Sequence, residues 1–156
     1  MALFVGEFDV AIDAKHRLAI PAPLREQMVP SEDGKNFYMV LGPDRHLCLY
    51  PDLYYRRVLE PLQRSPLPNR RSRRFDLLFA MTRVLKPDAQ GRVVLPEKSM
   101  QRAILSEGVT LVGKGDHIEI WPAEEWERFV EEALPRYGED VLDAGDGFTS
   151  ASEADK

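Results

Sequence analysis

Two short segments set an acid and a guanidinium four residues apart: Asp13-Ala-Lys-His-Arg17 and Asp88-Ala-Gln-Gly-Arg92. An arginine fork can span two acceptors on a guanine edge or a phosphate, and a glutamine can face adenine in the same bidentate way. Lys15 and Arg17 stand two apart, so if Arg17 begins a strand both can point to one face at the rim of a bend. Arg92 repeats the position of Arg17, with Gln90 in place of Lys15. The same spacing also suits a structural pair, in which Asp13 and Asp88 cap backbone N–H groups and draw Arg17 and Arg92 in to close each turn. Spacing alone leaves both readings open. The densest positive stretch is Arg70, Arg71, Arg73 and Arg74. It suits phosphate contacts, which add affinity without sequence information, and equally a solvated helix face or a contact with another subunit.

Catalytic chemistry finds little support. His16, His46 and His117 each fall in or beside an expected turn and have no metal-ligand spacing to one another or to Cys48. No Gly-x-Ser-x-Gly elbow, P-loop or Gly-x-Gly-x-x-Gly motif is present. Asp13 and Asp88 are a conceivable carboxylate pair, but acid/base sites usually need two unlike environments, which a repeat does not supply. Neither an enzyme, a metal site nor a cofactor is expected. Cys48, alone in the apolar run Leu47-Cys-Leu49, excludes a disulfide framework and reads as a buried thiol.

The elements that must position these residues come in two copies. Asp13 to Pro21 lies over Asp88 to Pro96 at an offset of 75, and Val40-Leu-Gly42, Leu49-Tyr-Pro51 and Tyr55 lie over Leu111-Val-Gly113, Ile120-Trp-Pro122 and Trp126 at an offset of 71. The difference falls in the polar turn Ser31 to Lys35, where an insertion costs little. In each copy a half-buried strand pattern leads into a bend and a returning strand, which reads as a β-hairpin. A proline-led helix follows, through Leu24 and Met28 in the first copy and through Met100 and Ile104 in the second. A second strand pair comes next, and an amphipathic helix closes each copy. In the helix expected over 124–134, Trp126, Phe129, Val130 and Ala133 take core spacing.

Between the copies, 64–74 is expected to begin as a turn and become a helix carrying Phe75, Leu78 and Phe79 on one face. From about Gly138 the chain is acidic and poor in large apolar groups, which predicts disorder. The net charge of −5 resides there: Glu139 to Lys156 holds six acids and one base, leaving 20 of each sign before it. The body is therefore neutral, and a DNA partner is not excluded by charge. No apolar run approaches the length of a membrane span, and Met1 to Phe8 has no export-signal pattern, so a cytoplasmic location and no membrane partner are expected.

The Asp-x-x-x-Arg signature occurs twice, each time followed by a proline-led helix and a Tyr-Pro or Trp-Pro strand end. On these residues the chain resembles the MraZ family, whose halves are similar to the AbrB-type swapped-hairpin DNA-binding fold. The likeness covers roughly residues 1 to 135 and includes Glu119-Ile-Trp121. It implies a nucleoid-associated regulator at the promoter of a division and cell-wall gene cluster, binding short direct repeats in double-stranded DNA as a ring-like homo-oligomer. It also implies that the bends face DNA, which carries over to Asp13, Lys15 and Arg17, and to Asp88 and Arg92. His16 departs from the family's glycine; it either strains the first bend or adds a contact of its own.

The resulting expectation is an α+β protein of two tandem AbrB-like units, swapped-hairpin or double-split barrel in type, forming a pseudo-twofold barrel-like body with flanking helices. Its parts are a first half at 1–62, an Arg-rich linker helix at 63–80, a second half at 81–137 and a tail at 138–156. The rival is a ring-forming protein–protein module without DNA readout, in which Arg70 to Arg74 engage a neighbour's acidic tail. An antitoxin-like regulator with one copy of the unit is disfavoured by the duplication.

Overall fold

The computed structural model describes residues 1–62, 67 and 69–154, with side chains through residue 148. The chain divides into two compact units, Met1–Ala123 and Glu124–Lys156. In the first copy β1 (Glu7–Ala11) and β2 (Arg17–Ala19) flank a bend, followed by α1 (Ala22–Arg25), α2 (Pro30–Asp33), β3 (Phe37–Leu41), β4 (Leu47–Pro51) and α3 (Asp52–Leu59). Between the copies lie α4 (Arg70–Arg73) and α5 (Asp76–Met81). The second copy repeats the order with β5 (Arg83–Leu85), β6 (Arg92–Val94), α6 (Glu97–Arg102), β7 (Gly108–Gly113), β8 (Ile118–Pro122) and α7 (Ala123–Ala133). The chain continues into α8 (Tyr137–Ala154). Within the segment 64–74, expected to begin as a turn, residues 64–66 and 68 lie outside the described residues. Among the described residues no helix is long and apolar enough to cross a membrane.

The two copies exchange strands. β1 does not pair with β2, nor β5 with β6; β1 pairs with β7, β5 with β3, and β2 with β6, all antiparallel. The expected simple hairpins are thus corrected to bends whose arms pair across the copies. Each three-residue returning strand has one large inward side chain, Leu18 or Val93, and setting these opposite each other buries both fully. The main sheet runs β1-β7-β8-β4-β3-β5, and β2-β6 is a separate ribbon. It is an open sheet with β1 and β5 at its edges, so the expected barrel closure is corrected too. The β4–β8 joint centres on Cys48 opposite Glu119, flanked by Leu47 opposite Ile120 and Leu49 opposite Ile118. An offset of 71 maps this joint onto itself, which is the pseudo-twofold relation expected of the repeat.

Alternation along the strands sorts side chains into two layers. Phe37, Met39, Leu47, Leu49, Leu111, Ile118 and Ile120 face the main core together with Leu18, Ile20, Val93 and Leu95 from the ribbon side. On the opposite face Val40, Cys48 and Tyr55 form a smaller cluster with Tyr38, Tyr50, Leu59 and Leu78, beneath α3 and α5. The first unit is therefore layered as ribbon, sheet and helices.

The N-terminal segment is seated by a close backbone approach. Phe4 is fully buried and exchanges N–H···O bonds of 2.7 and 2.9 Å with Gly115, while Gly113 N–H donates to Gly6 at 2.8 Å. A Cβ on Gly113 would come within 2.5 Å of the Val5 nitrogen and 2.6 Å of the Phe4 carbonyl carbon, both backbone atoms with little room to shift. Gly113→Ala is expected to destabilise by about 1–3 kcal/mol, the usual cost of overpacking. Urea unfolding measures this, and an unchanged midpoint refutes the tight seating.

Three local expectations are revised. α6 stops at Arg102, and Ile104 is 74% exposed with φ +54°, rather than extending the buried stripe of Met100. The cause is a Schellman-type stop: Leu105 N–H donates to the Met100 carbonyl at 3.0 Å and Ile104 N–H to that of Gln101 at 3.2 Å. In α7 Phe129 remains 43% exposed, stacked on Trp126 at 5.3 Å, so the amphipathic stripe is not fully core. Where disorder is expected from about Gly138, the described residues through Ala154 are helical (α8); Glu139 and Asp140 lie in its first turn, where acids favour a helix N-terminus.

Candidate nucleic-acid interface

Each bend is built by its aspartate. Asp13 Oδ1 accepts the N–H groups of Lys15 and Arg17, both at 2.9 Å, and Oδ2 accepts Arg17 Nε at 2.6 Å. Asp88 repeats every contact, with Gln90 N–H, Arg92 N–H and Arg92 Nε all at 2.9 Å. The backbone closes identically: Asp13 N–H donates to the Arg17 carbonyl at 3.1 Å and Asp88 N–H to that of Arg92 at 2.8 Å. The Arg17 N–H, with its guanidinium and the Lys15 N–H, holds Asp13 below the usual carboxylate range, and Arg92 does the same for Asp88. The turn-closing geometry is thus present in both copies.

That pairing consumes only Nε of each guanidinium. Among the described residues the terminal nitrogens of Arg17 and Arg92 make no further hydrogen bond, and each side chain is 32% exposed. The aspartate therefore orients the fork without occupying its tips. Register then brings the forks together. Arg17 lies opposite Val94 and Arg92 opposite Ala19, while Leu18 and Val93 point into the core. Arg17, Ala19, Arg92 and Val94 consequently share the outer face of the ribbon, with the two arginines diagonal to each other at roughly 7–8 Å. Lys15 and Gln90 are exposed at the bend tips.

The last residue of each bend is left-handed: His16 at φ +60° and Gly91 at φ +77°. Its carbonyl anchors the other copy, since Leu95 N–H donates to His16 and Ile20 N–H to Gly91, both at 2.9 Å. The strain expected of His16 is therefore present, and His16 also borders a groove with Met100 and Ile104. His16→Gly is expected to stabilise by about 0.5 kcal/mol, because left-handed strain of roughly 1–2 kcal/mol exceeds the glycine's entropic cost of roughly 0.5–1. Chemical denaturation checks the sign; a loss of stability would show that imidazole contacts outweigh the strain.

Arg70, Arg71, Arg73 and Arg74 are all exposed on or beside α4. That helix is short and is started by a capping box, in which Asn69 accepts the Ser72 N–H at 2.9 Å and Ser72 Oγ accepts the Asn69 N–H at 3.2 Å. The structure does not bring these arginines into the ribbon's register pairs.

A second constellation, which the spacing argument did not reveal, lies on the sheet face away from the ribbon. His117 Nδ1 bonds Asp116 Oδ1 at 2.8 Å and Nε2 bonds Glu119 Oε2 at 2.9 Å. Trp121 Nε1 donates to Glu119 Oε1 at 2.9 Å, and Tyr54 donates to Asp116 Oδ2 at 2.7 Å. His117 stacks on Tyr50 at 4.8 Å and His46 on Trp121 at 3.8 Å, two contacts that the offset of 71 exchanges. That offset is the signal that could have found them, because it aligns His46 with His117 and Cys48 with Glu119. Burial is the largest influence on His117 and lowers its pKa; hydrogen bonding to Cys48, Glu119 and Asp116 outweighs burial and raises it to about 10. The His117 hydrogen bond, against burial and with help from Trp121, lowers Glu119 to about 2.

Linkage fixes the sign of the pH dependence. His117 is raised on folding, so its contribution is complete below about 6.5 and is lost as pH rises through about 10. Glu119 is lowered, so its contribution is complete above about 4.5 and is lost as pH falls through about 2. The stability difference between the parent chain and His117→Gln is expected to be largest between these limits and to shrink from pH 7 to pH 10. Denaturation curves at several pH values measure it, and a difference constant across that range contradicts the assignment.

Comparison with known proteins agrees with the repeat. A family model described as "MraZ protein, putative antitoxin-like" matches twice, over residues 3–78 and 78–137. The "Transcriptional regulator MraZ" of Heliobacterium modesticaldum is 35% identical over 138 residues, covering 88% of this chain and 93% of the relative. The protein of the same name from Symbiobacterium thermophilum is 36% identical over 136 residues, 86% of this chain and 95% of its own. That from Pediococcus pentosaceus is 33% identical over 147 residues, 92% and 99% respectively. Two tandem matches that fall on the two structural copies, with relatives aligned over nearly their whole lengths, lead to one conclusion: this chain belongs to the MraZ family.

Proposed function

We propose that this chain is a sequence-specific DNA-binding transcriptional regulator whose reading surface is the outer face of the β2–β6 ribbon. The observation that carries this reading is the pair of guanidinium forks, Arg17 and Arg92, held by Asp13 and Asp88 with their tips unbonded on one exposed face. A two-stranded ribbon fits the major groove, where an arginine fork spans the O6 and N7 acceptors of guanine. Lys15 and His16 flank one fork and Gln90 the other, so the two bends present unlike side chains to successive bases. The relatives' name, transcriptional regulator, supports the same reading.

The strand exchange supports kinship with the AbrB-type swapped hairpin, in which two half-units share one reading surface. In this proposal several protomers of a ring-like homo-oligomer array their ribbons along short direct repeats, at the promoter of a division and cell-wall gene cluster. Avidity then supplies affinity that one near-neutral body lacks. Such a regulator works in the cytoplasm, on the nucleoid. Arg70, Arg71, Arg73 and Arg74 serve as phosphate or subunit contacts beside that surface.

The test is a titration of the full chain against duplexes with and without tandem short repeats from its own upstream region, at several salt concentrations. The expected result is preference for the repeats and a steep negative dependence of affinity on salt. Equal binding to both duplexes, or no binding to either, rejects the proposal.

A further inference from the structure

The sheet face opposite the reading ribbon holds a donor set that DNA binding does not use. Cys48 Sγ, a His117 ring nitrogen and a Glu119 carboxylate oxygen all lie within 4.8 Å of one another. They come from both repeats: Cys48 on β4 lies opposite Glu119 on β8, at the register point where the two strands join, and His117 immediately precedes β8. We propose that Cys48, His117 and Glu119 form a binding site for a divalent transition-metal ion of the Zn²⁺ class, which staples the two repeats across the central joint of the sheet.

The donor chemistry is that of zinc: thiolate, imidazole and carboxylate, in a set of three that leaves a further position for water or another donor. The outer support is built as well. Asp116 Oδ1 holds His117 Nδ1, which aims Nε2 at Glu119, and Tyr54 in turn holds the other oxygen of Asp116. Trp121 holds Glu119 Oε1 and leaves Oε2 turned toward Nε2. Partners of this kind fix the tautomer and direction of metal ligands. Cys48 Sγ would give up a long contact of 3.6 Å to the His46 carbonyl and its hydrogen bond with His117. Shelter is suitable too: Cys48 is 4% exposed, and the side chains of His117 and Glu119 are 16% and 19% exposed, so an ion can enter yet is largely screened from water.

The exchange balances simply. One dication replaces two protons, one from the imidazolium, which now bridges to Glu119, and one from the Cys48 thiol. Both protons leave to solvent and no electron moves. The ion then adds a link between strands otherwise held by hydrogen bonds and packing, so binding favours the folded chain.

Cobalt titration of the metal-stripped full chain tests the site, since Cys48 is the sole cysteine and any thiolate signal identifies it. The expected result is one Co²⁺ per chain with a thiolate-to-cobalt charge-transfer band in the near ultraviolet, removed by competing Zn²⁺. Zn²⁺ should also raise the midpoint of thermal unfolding. Cys48→Ser should lose the band, and His117→Gln should weaken binding on the order of 10- to 100-fold or more, while both keep the parent preference for repeat DNA. Absence of the band in the parent chain overturns the proposal without requiring any variant to fold. A Zn²⁺ response that persists unchanged in Cys48→Ser and His117→Gln overturns it equally.

Discussion

Replacing both arginines, as Arg17→Ala with Arg92→Ala, is expected to lower affinity for the tandem-repeat duplex by on the order of 30-fold to 10⁴-fold and to abolish the preference for repeats. A bidentate contact to a base is worth about 1–3 kcal/mol, the proposed reading has two such contacts acting together, and each 1.4 kcal/mol is a factor of ten. The proposed oligomer would multiply the loss, because each of its protomers on the duplex would lose both contacts. Stability should change little by comparison, since each lost ion pair is partly exposed and solvent screens such pairs. Asp13 and Asp88 still cap their bends through backbone N–H groups, so the folded ribbon persists. Fluorescence anisotropy for binding and thermal unfolding for the fold separate the two effects. Binding that falls only in step with stability would assign these residues to turn closure alone.

The largest expected effect on stability comes from Leu18→Ala. Leu18 is fully buried, directly opposite Val93 at the centre of the ribbon, within the core shared by both copies. Truncating such a side chain costs about 2–5 kcal/mol, the higher values where the surroundings do not collapse into the space. The cavity should be felt in both repeats at once. β1 is held by β7 and β5 by β3, so neither copy keeps a complete set of strand partners when the other loosens. Unfolding followed by tryptophan fluorescence and by far-ultraviolet circular dichroism should shift together to a lower midpoint. Two separated transitions would show that the copies are independent, contrary to the exchanged pairing.

Much of this architecture is legible in the sequence because its signals are local. Asp13 and Asp88 organise their bends through neighbours no more than four residues away, and Pro21 and Pro96 stand as N-caps of the following helices. The constant offsets carry the repeat, and with it the two matching elements of each half. The choice of strand partner is different. The alternation in Glu7–Ala11 shows that Phe8 and Val10 face a core, but β2 and β7 both present suitable apolar residues, and only the complete packing selects β7. The open sheet edge follows from that selection. Spacing along the chain does not relate Cys48 to His117, whereas the fold brings them together across the β4–β8 joint. Ile104 misled for another reason: its apolar side chain fits the helical stripe of Met100, yet the helix stop is made by backbone bonds that side-chain periodicity does not encode.

In the proposed reading, fork geometry at the ribbon, rather than positive charge, reads the DNA. The most direct measurement is therefore a charge-conserving one: Arg17→Lys with Arg92→Lys, titrated beside the parent chain against the repeat duplex and a scrambled duplex over a range of salt. Lysine keeps the charge that phosphates feel but lacks the planar pair of donors. The ratio of the two affinities should collapse toward one while the salt dependence stays near that of the parent. A ratio preserved in the lysine variant would contradict that reading.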